Sequence, residues 1–142
     1  MSITSANAVF MISIPGVFPT PVQIQGFATD DVFDSEQLTL TQSVIGIDGK
    51  KSTGFVFELY GQNITLQADS QSFKVFDAWA AAMRVAREDY PANATIVLTA
   101  TNQSFTLTNG SLESYTPVPD GKKVLQPRKY KITWESVTPS VI

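Results

Sequence analysis

SFKVFDAWAAAMRVAREDY, residues Ser72 to Tyr90, decides the architecture of this chain. It is the one convincing helical pattern in a sequence that otherwise reads as strands and turns. On a helical wheel Val75, Phe76, Trp79, Ala82, Met83, Ala86 and Tyr90 fall within an arc of roughly 120°. Lys74, Asp77, Arg84 and Glu88 fall on the opposite side, with Arg84 and Glu88 spaced as an i,i+4 pair. Such a helix lays one face on a sheet and offers the other to solvent or a partner. Asp69 and Ser70 precede it as N-cap candidates, because their side-chain oxygens accept from the orphan N–H groups of a first turn. Pro91 closes it, since proline cannot continue the ladder.

Working outward, Ala8–Ile14 is a compact apolar run ended by Pro15-Gly16. Pro19 and Pro21 make the next stretch an extended turn or a sheet edge, and Val22–Ala28 then alternates. Thr29–Glu36 is an acidic connector. Leu38–Ile47 reads as the clearest strand, with Leu38, Leu40 and Val44 on one face and Thr39, Thr41 and Ser43 on the other. Asp48-Gly49 is a turn signal, Lys50–Gly54 extends it into a longer loop, and Phe55–Tyr60 returns with Phe55, Phe57 and Leu59 directed to the core. Asn63–Gln67 is the strand that leads into the helix. Beyond the helix come Thr95–Thr99, Phe105–Thr108, a hairpin turn at Asn109-Gly110, Ser111–Tyr115, a loop over Thr116–Pro127, and a last strand, Tyr130–Val137. The expected fold is mainly β: an antiparallel β-sandwich or barrel with a single flanking α-helix at about Ser72–Tyr90, in one domain over residues 1–142.

Composition removes most chemistry. The chain has no Cys and no His, so disulfides, thiolate or imidazole metal sites, cysteine nucleophiles and Ser-His-Asp triads are excluded. A net charge of −3 with scattered lysines and arginines argues against a standing nucleic-acid binder. Met1–Ala8 lacks the features of a secretory signal, and no apolar run approaches the roughly 18–20 residues of a membrane span, so the chain is expected to be cytosolic when made. Asp30, Asp31, Asp34 and Glu36 form the carboxylate cluster, but no glycine supplies the sharp turn of a calcium loop, so it reads as a solvated loop. Glu58 and Glu135 read as outward strand positions rather than a glycosidase pair. Trp79 and Trp134 sit at apolar phases and read as buried. Their alternative is a sugar-stacking platform of a carbohydrate-binding or adhesion module, together with exposed tyrosines. No catalytic residue, cofactor or metal is expected.

The run Ile64-Thr65-Leu66-Gln67-Ala68-Asp69-Ser70-Gln71-Ser72, leading into Phe76-Asp77-Ala78-Trp79, resembles the tail tube protein of contractile-tailed bacteriophages, where a β-strand leads into a helix in this way. Tyr130-Lys131-Ile132-Thr133-Trp134-Glu135-Ser136-Val137 resembles the closing strand of the same proteins. The resemblance covers nearly the whole chain, and the type VI secretion tube protein shares the fold. It implies a structural virion protein whose hexameric rings stack into the inner tube of a contractile tail, a conduit for DNA ejection. Implied partners are further copies of itself, the tail sheath, baseplate and tail terminator proteins, and double-stranded DNA passing transiently; no membrane is implied. The implied location is the phage tail, after assembly in the bacterial host cytoplasm. A tail terminator or baseplate protein of similar fold is an alternative. By this resemblance the loop Ile47, Asp48, Gly49, Lys50, Lys51, Ser52, Thr53 and Gly54 reaches a neighbouring ring. Gln23, Gln25, Thr39, Thr41, Ser43 and Glu58 are the candidate lumen face. Lys74, Asp77, Arg84 and Glu88 are the candidate exposed helix face. Met1–Asn7 and Thr138–Ile142 are expected to lie outside the strands and to be ordered by other subunits.

Overall fold

The computed structural model describes residues 8–25, 33–68, 70–99, 101–118 and 121–141. In chain order the elements are β1 (Ala8–Ile14), β2 (Phe18–Ile24), β3 (Phe33–Ser35), β4 (Thr41–Ile45), β5 (Lys51–Phe55), β6 (Tyr60–Leu66), α1 (Phe73–Ala86), β7 (Ala92–Leu98), β8 (Gln103–Tyr115) and β9 (Arg128–Val141). Seven strands form one antiparallel sheet in the order β2-β1-β7-β8-β9-β6-β3, and β4 pairs with β5 alone. The fold is therefore mainly β with one flanking helix. Pro19 and Pro21 fall on β2, an edge of the sheet, where a missing N–H breaks no interior ladder.

One side of the sheet makes the core. Phe10, Ile12 and Ile14 of β1, Ala94 and Ile96 of β7, and Tyr130, Ile132 and Trp134 of β9 are buried with Ile64 and Leu66 of β6. The helix covers them with Val75, Phe76, Trp79 and Ala80. Phe76 stacks on Tyr130 at 4.2 Å between ring centroids. The apolar arc is narrower than the sequence implies: Ala82 and Met83 are half-buried and Ala86 is exposed.

The helix starts where expected but is capped by another residue and stops earlier. Ser72 is its N-cap residue, and Asp69 lies outside the described residues. Ser70 and Ser72 are both buried and fasten the helix to the end of β2: Ser70 Oγ donates to Gln25 O at 2.6 Å, and Gln25 N–H donates to Ser72 Oγ at 2.8 Å. At the other end Arg87, in the left-handed region at φ 55°, stops the helix well before Pro91. Its N–H donates to Met83 O at 2.8 Å. The reversal brings Tyr90 back against the core, where its carbonyl accepts from Trp79 Nε1 at 2.8 Å. Tertiary packing thus ends the helix before the proline does.

Asn109-Gly110 is not a hairpin turn. β8 continues through it from Gln103 to Tyr115. Asn109 takes φ 50°, and the pairing with β7 shifts between Ala92 and Ala94. The extra residue is a bulge, which bends the strand and lets Leu107 and Gly110, three positions apart, both be buried. Glycine is required there because a Cβ would stand 2.3 Å from Cε3 of Trp134, whose indole lies across it.

The end of the chain differs too. Thr138–Ser140 does not lie outside the strands: it continues β9, with Thr138 opposite Thr106 and Ser140 opposite Ser104. Met1–Asn7 lies outside the described residues, as do Asp30 and Asp31 of the acidic connector. Phe33–Ser35 of that connector is strand β3, paired with β6.

Candidate assembly surface

The segment read as the clearest strand holds strand β4, but it stands outside the main sheet as an arm. The turn closes tightly: Gly49 N–H donates to Gly46 O and Gly46 N–H to Lys50 O, both at 2.9 Å, while Asp48 Oδ1 accepts from Lys50 N–H at 3.1 Å. Gly49 has φ 80°, a conformation that favours glycine. Lys51 therefore pairs with Ile45 at once, and Lys50–Gly54, expected as loop, runs into strand β5. Thr41 faces Phe55 and Ser43 faces Thr53 across the ladder, so Phe55 shares the face of Thr41 and Ser43 rather than an apolar one. Ser43 Oγ and Thr53 Oγ1 are 3.2 Å apart. At the base Val56 N–H donates to Leu40 O at 2.9 Å and Thr39 N–H to Glu58 Oε2 at 3.1 Å.

Among the described residues neither face of this arm meets a core. Leu38, Leu40, Val44, Phe55, Phe57 and Leu59, all expected inside, are exposed, and so are Ile45 and Ile47. Ile47 at the tip is fully open to solvent and Phe57 is 92% exposed. Phe55 and Phe57 hold each other edge to face at 4.9 Å. An isolated two-stranded hairpin is marginally stable in water, and large apolar side chains left in water on both of its faces mark an interaction surface.

Beside the base of the arm, the core side of the sheet is open in an apolar pocket of about 390 Å³, lined by Leu38, Tyr60, Gln62, Leu98, Phe105 and Val137 among others. Gln62 is fully buried. Its Oε1 accepts from Trp134 Nε1 at 3.0 Å, whereas its Nε2 has no partner among the described residues. Glu36 stands on the rim, 3.3 Å from Lys131 Nζ. Sequence reasoning passed over Gln62, although its phase with Ile64 and Leu66 places a polar amide on the buried face of β6.

The helix face is less free than its sequence implies. Lys74 and Arg84 are exposed, and Glu88 is exposed beyond the C-cap. Asp77 is committed: Arg128 Nη2 donates to its Oδ1 at 2.9 Å and to Pro117 O at 2.9 Å, while Arg128 Nε donates to Thr116 O at 3.0 Å. Arg128 is buried over the rings of Phe73 and Tyr130. Burial pushes the Tyr130 hydroxyl up from 10.0 to about 12, against a smaller lowering by Arg128.

The candidate lumen residues fall in two places. Gln23 and Gln25 are exposed on and just after edge strand β2, with the backbone of Gln25 fastened by Ser70 and Ser72. Thr39, Thr41, Ser43 and Glu58 belong to the arm and its base. Trp79 and Trp134 are fully buried, and each of the four tyrosines is buried or half-buried, which overturns the sugar-stacking alternative. Among the described residues no three acidic side chains converge as a metal site.

A family model described as tail fiber protein gp32 matches residues 1–138. No curated protein matches. Among solved structures, the sheath/tube terminator of an extracellular contractile injection system (PVC, extended state) is similar with a TM-score of 0.65 at 13% identity, over 99% of this chain and 98% of that one. The tube terminating cap of the anti-feeding prophage gives 0.63 at 12% identity, over 100% and 93%. The PVC sheath-tube complex gives 0.61 at 12% identity, over 94% and 88%. At these identities the likeness is one of fold: the chain has the tube-type fold of contractile injection systems, and the resemblance to tube proteins holds at that level.

Proposed function

The chain belongs to the tail fiber protein gp32 family, and on that footing we propose that it is a non-enzymatic structural subunit of a contractile phage tail that assembles with copies of itself into stacked rings. The observation that carries this reading is the arm. A chain that places Val44, Ile45, Ile47, Phe55 and Phe57 in water on a hairpin outside its own sheet has an apolar surface made for contact. Edge strands β2 and β3 support it, since unpaired strand edges are covered when neighbouring subunits join. In this reading the rings are hexameric and Ile47–Gly54 makes the contact between them. Sheath, baseplate and terminator proteins are the other partners, and the location is the virion after assembly in the host cytoplasm.

Gln23, Gln25, Thr39, Thr41, Ser43 and Glu58 line the lumen in the same reading. A hydroxyl- and amide-rich, slightly acidic wall does not hold DNA phosphates, so ejected DNA slides past it. The near-complete mutual coverage with the sheath/tube terminator favours a second reading, a single ring that ends a tube. Sedimentation of the purified chain tests both. Ring-sized particles that grow into long tubes support a tube subunit, rings that never stack support a terminator, and monomers at all concentrations refute both.

A further inference from the structure

We propose that Asn109-Gly110 is a latent deamidation site that the folded bulge holds shut, and that modification there marks a chain whose β8–β9 ribbon has opened. The asparagines of the chain are Asn7, Asn63, Asn93, Asn102 and Asn109, and only Asn109 precedes a glycine. The reaction needs water alone. The Gly110 backbone nitrogen attacks Cγ of Asn109, and the side-chain nitrogen leaves as ammonia, taking the Gly110 amide proton with it. Water then opens the five-membered succinimide. The product is aspartate, or isoaspartate, in which the main chain runs through the former side-chain carbon. One water is consumed, one ammonia is released, and nothing is oxidised or reduced. A following Ile, Ala or Gln hinders the attack with its Cβ, and glycine does not.

The native geometry withholds both reacting groups. Gly110 is buried, faces Ala92 on one side and Trp134 on the other, and lies so close to the indole that a Cβ would stand 2.3 Å from Cε3. Its nitrogen is therefore fixed within the sheet. Asn109 is exposed, but its Nδ2 donates to Glu135 Oε2, its N–H donates to Asn93 Oδ1 at 3.3 Å, and its backbone is set at φ 50°. To close the ring, the side chain has to leave Glu135 and the 109–110 peptide has to rotate, which lifts Gly110 from the indole. The reaction thus proceeds from the locally open strand, and its rate reads the population of that state. Its product then keeps the strand from closing. Isoaspartate adds a carbon to the main chain where the bulge already holds an extra residue. Either product also sets a carboxylate beside that of Glu135, where the Asn109 amide donates in the unmodified chain.

The test incubates the full chain at mildly alkaline pH, folded in buffer and unfolded in the same buffer with guanidinium chloride. Peptide mass spectrometry then locates aspartate and isoaspartate. The unfolded chain loses Asn109 before any other asparagine, and the folded chain loses it at least about tenfold more slowly. Chains modified while unfolded are next separated and returned to buffer alone, where they melt below chains refolded without modification. Equal rates in the folded and unfolded chain overturn the shielding by the bulge, and earlier loss of another asparagine overturns the assignment of the site. Modified chains that refold with the unmodified melting temperature overturn the consequence for the ribbon.

Discussion

Replacing Gly110 by alanine tests the bent β8–β9 ribbon on which the core is built. The new Cβ would stand 2.3 Å from Cε3 and 2.4 Å from Cζ3 of Trp134, so the indole has to move. It has nowhere easy to go, because Trp134 is fully buried and its Nε1 donates to Gln62 Oε1 at 3.0 Å. Overpacking of a tight core costs about 1–3 kcal/mol, and loss of a neutral hydrogen bond adds about 1 kcal/mol, for a total of about 2–4 kcal/mol. For a domain of this length that lowers the melting temperature by roughly 6–14 °C. Thermal unfolding followed by tryptophan fluorescence reads both the loss of stability and the displaced indole. If Asn109-Gly110 were a hairpin turn at the surface, the substitution would act only through the turn and leave the indole spectrum alone. A Gly110→Ala protein with unchanged melting and unchanged native fluorescence refutes the close approach.

Three further outcomes follow from the packing. Trp79→Ala, at a fully buried ring whose Nε1 holds Tyr90 O, costs about 3–5 kcal/mol in denaturant unfolding. Asp77→Ala strips the buried Arg128 of its carboxylate and costs about 1–3 kcal/mol, whereas Lys74→Ala and Arg84→Ala stay within about 0.5 kcal/mol; equal effects from all three contradict the commitment of Asp77. Tyr130 holds its proton up to about pH 12 in the folded chain but releases it near 10.0 when unfolded. Its contribution is therefore fully present below pH 10 and is lost as pH rises to 12, with stability falling by up to about 1.4 kcal/mol per pH unit. Tyr130→Phe removes a buried hydroxyl that has no partner among the described residues, costs little at neutral pH and flattens that alkaline slope; an unaltered slope contradicts the assignment.

The helix was legible because its period comes from residues that must face one sheet, and Val75, Phe76 and Trp79 do so. Its end was not, because the stop lies in Arg87 and in the need to return Tyr90 to Trp79, a contact between residues eleven apart whose geometry no local pattern encodes. At Asn109-Gly110 the turn signal is genuine chemistry, since Asn109 does take a positive φ, but the indole of Trp134 turns the same pair into a bulge. The arm shows a different limit. Alternation along Leu38–Ile47 reveals a strand and its apolar side chains, yet says nothing of whether they meet the chain's own core or a neighbour's surface. The candidate site was thus half-visible: the Ile47–Gly54 segment was singled out, while its apolar flanks were assigned to the interior and Gln62 was passed over.

Electron cryomicroscopy of the purified, unmodified chain bears most directly on the central claim, that this is a self-assembling tail subunit joined through its arm. The account predicts closed rings that stack coaxially, with density for residues 41–55 crossing from each subunit to a neighbour and burying Ile47, Phe55 and Phe57. Isolated monomers, or rings in which the arm points into solvent, would contradict it.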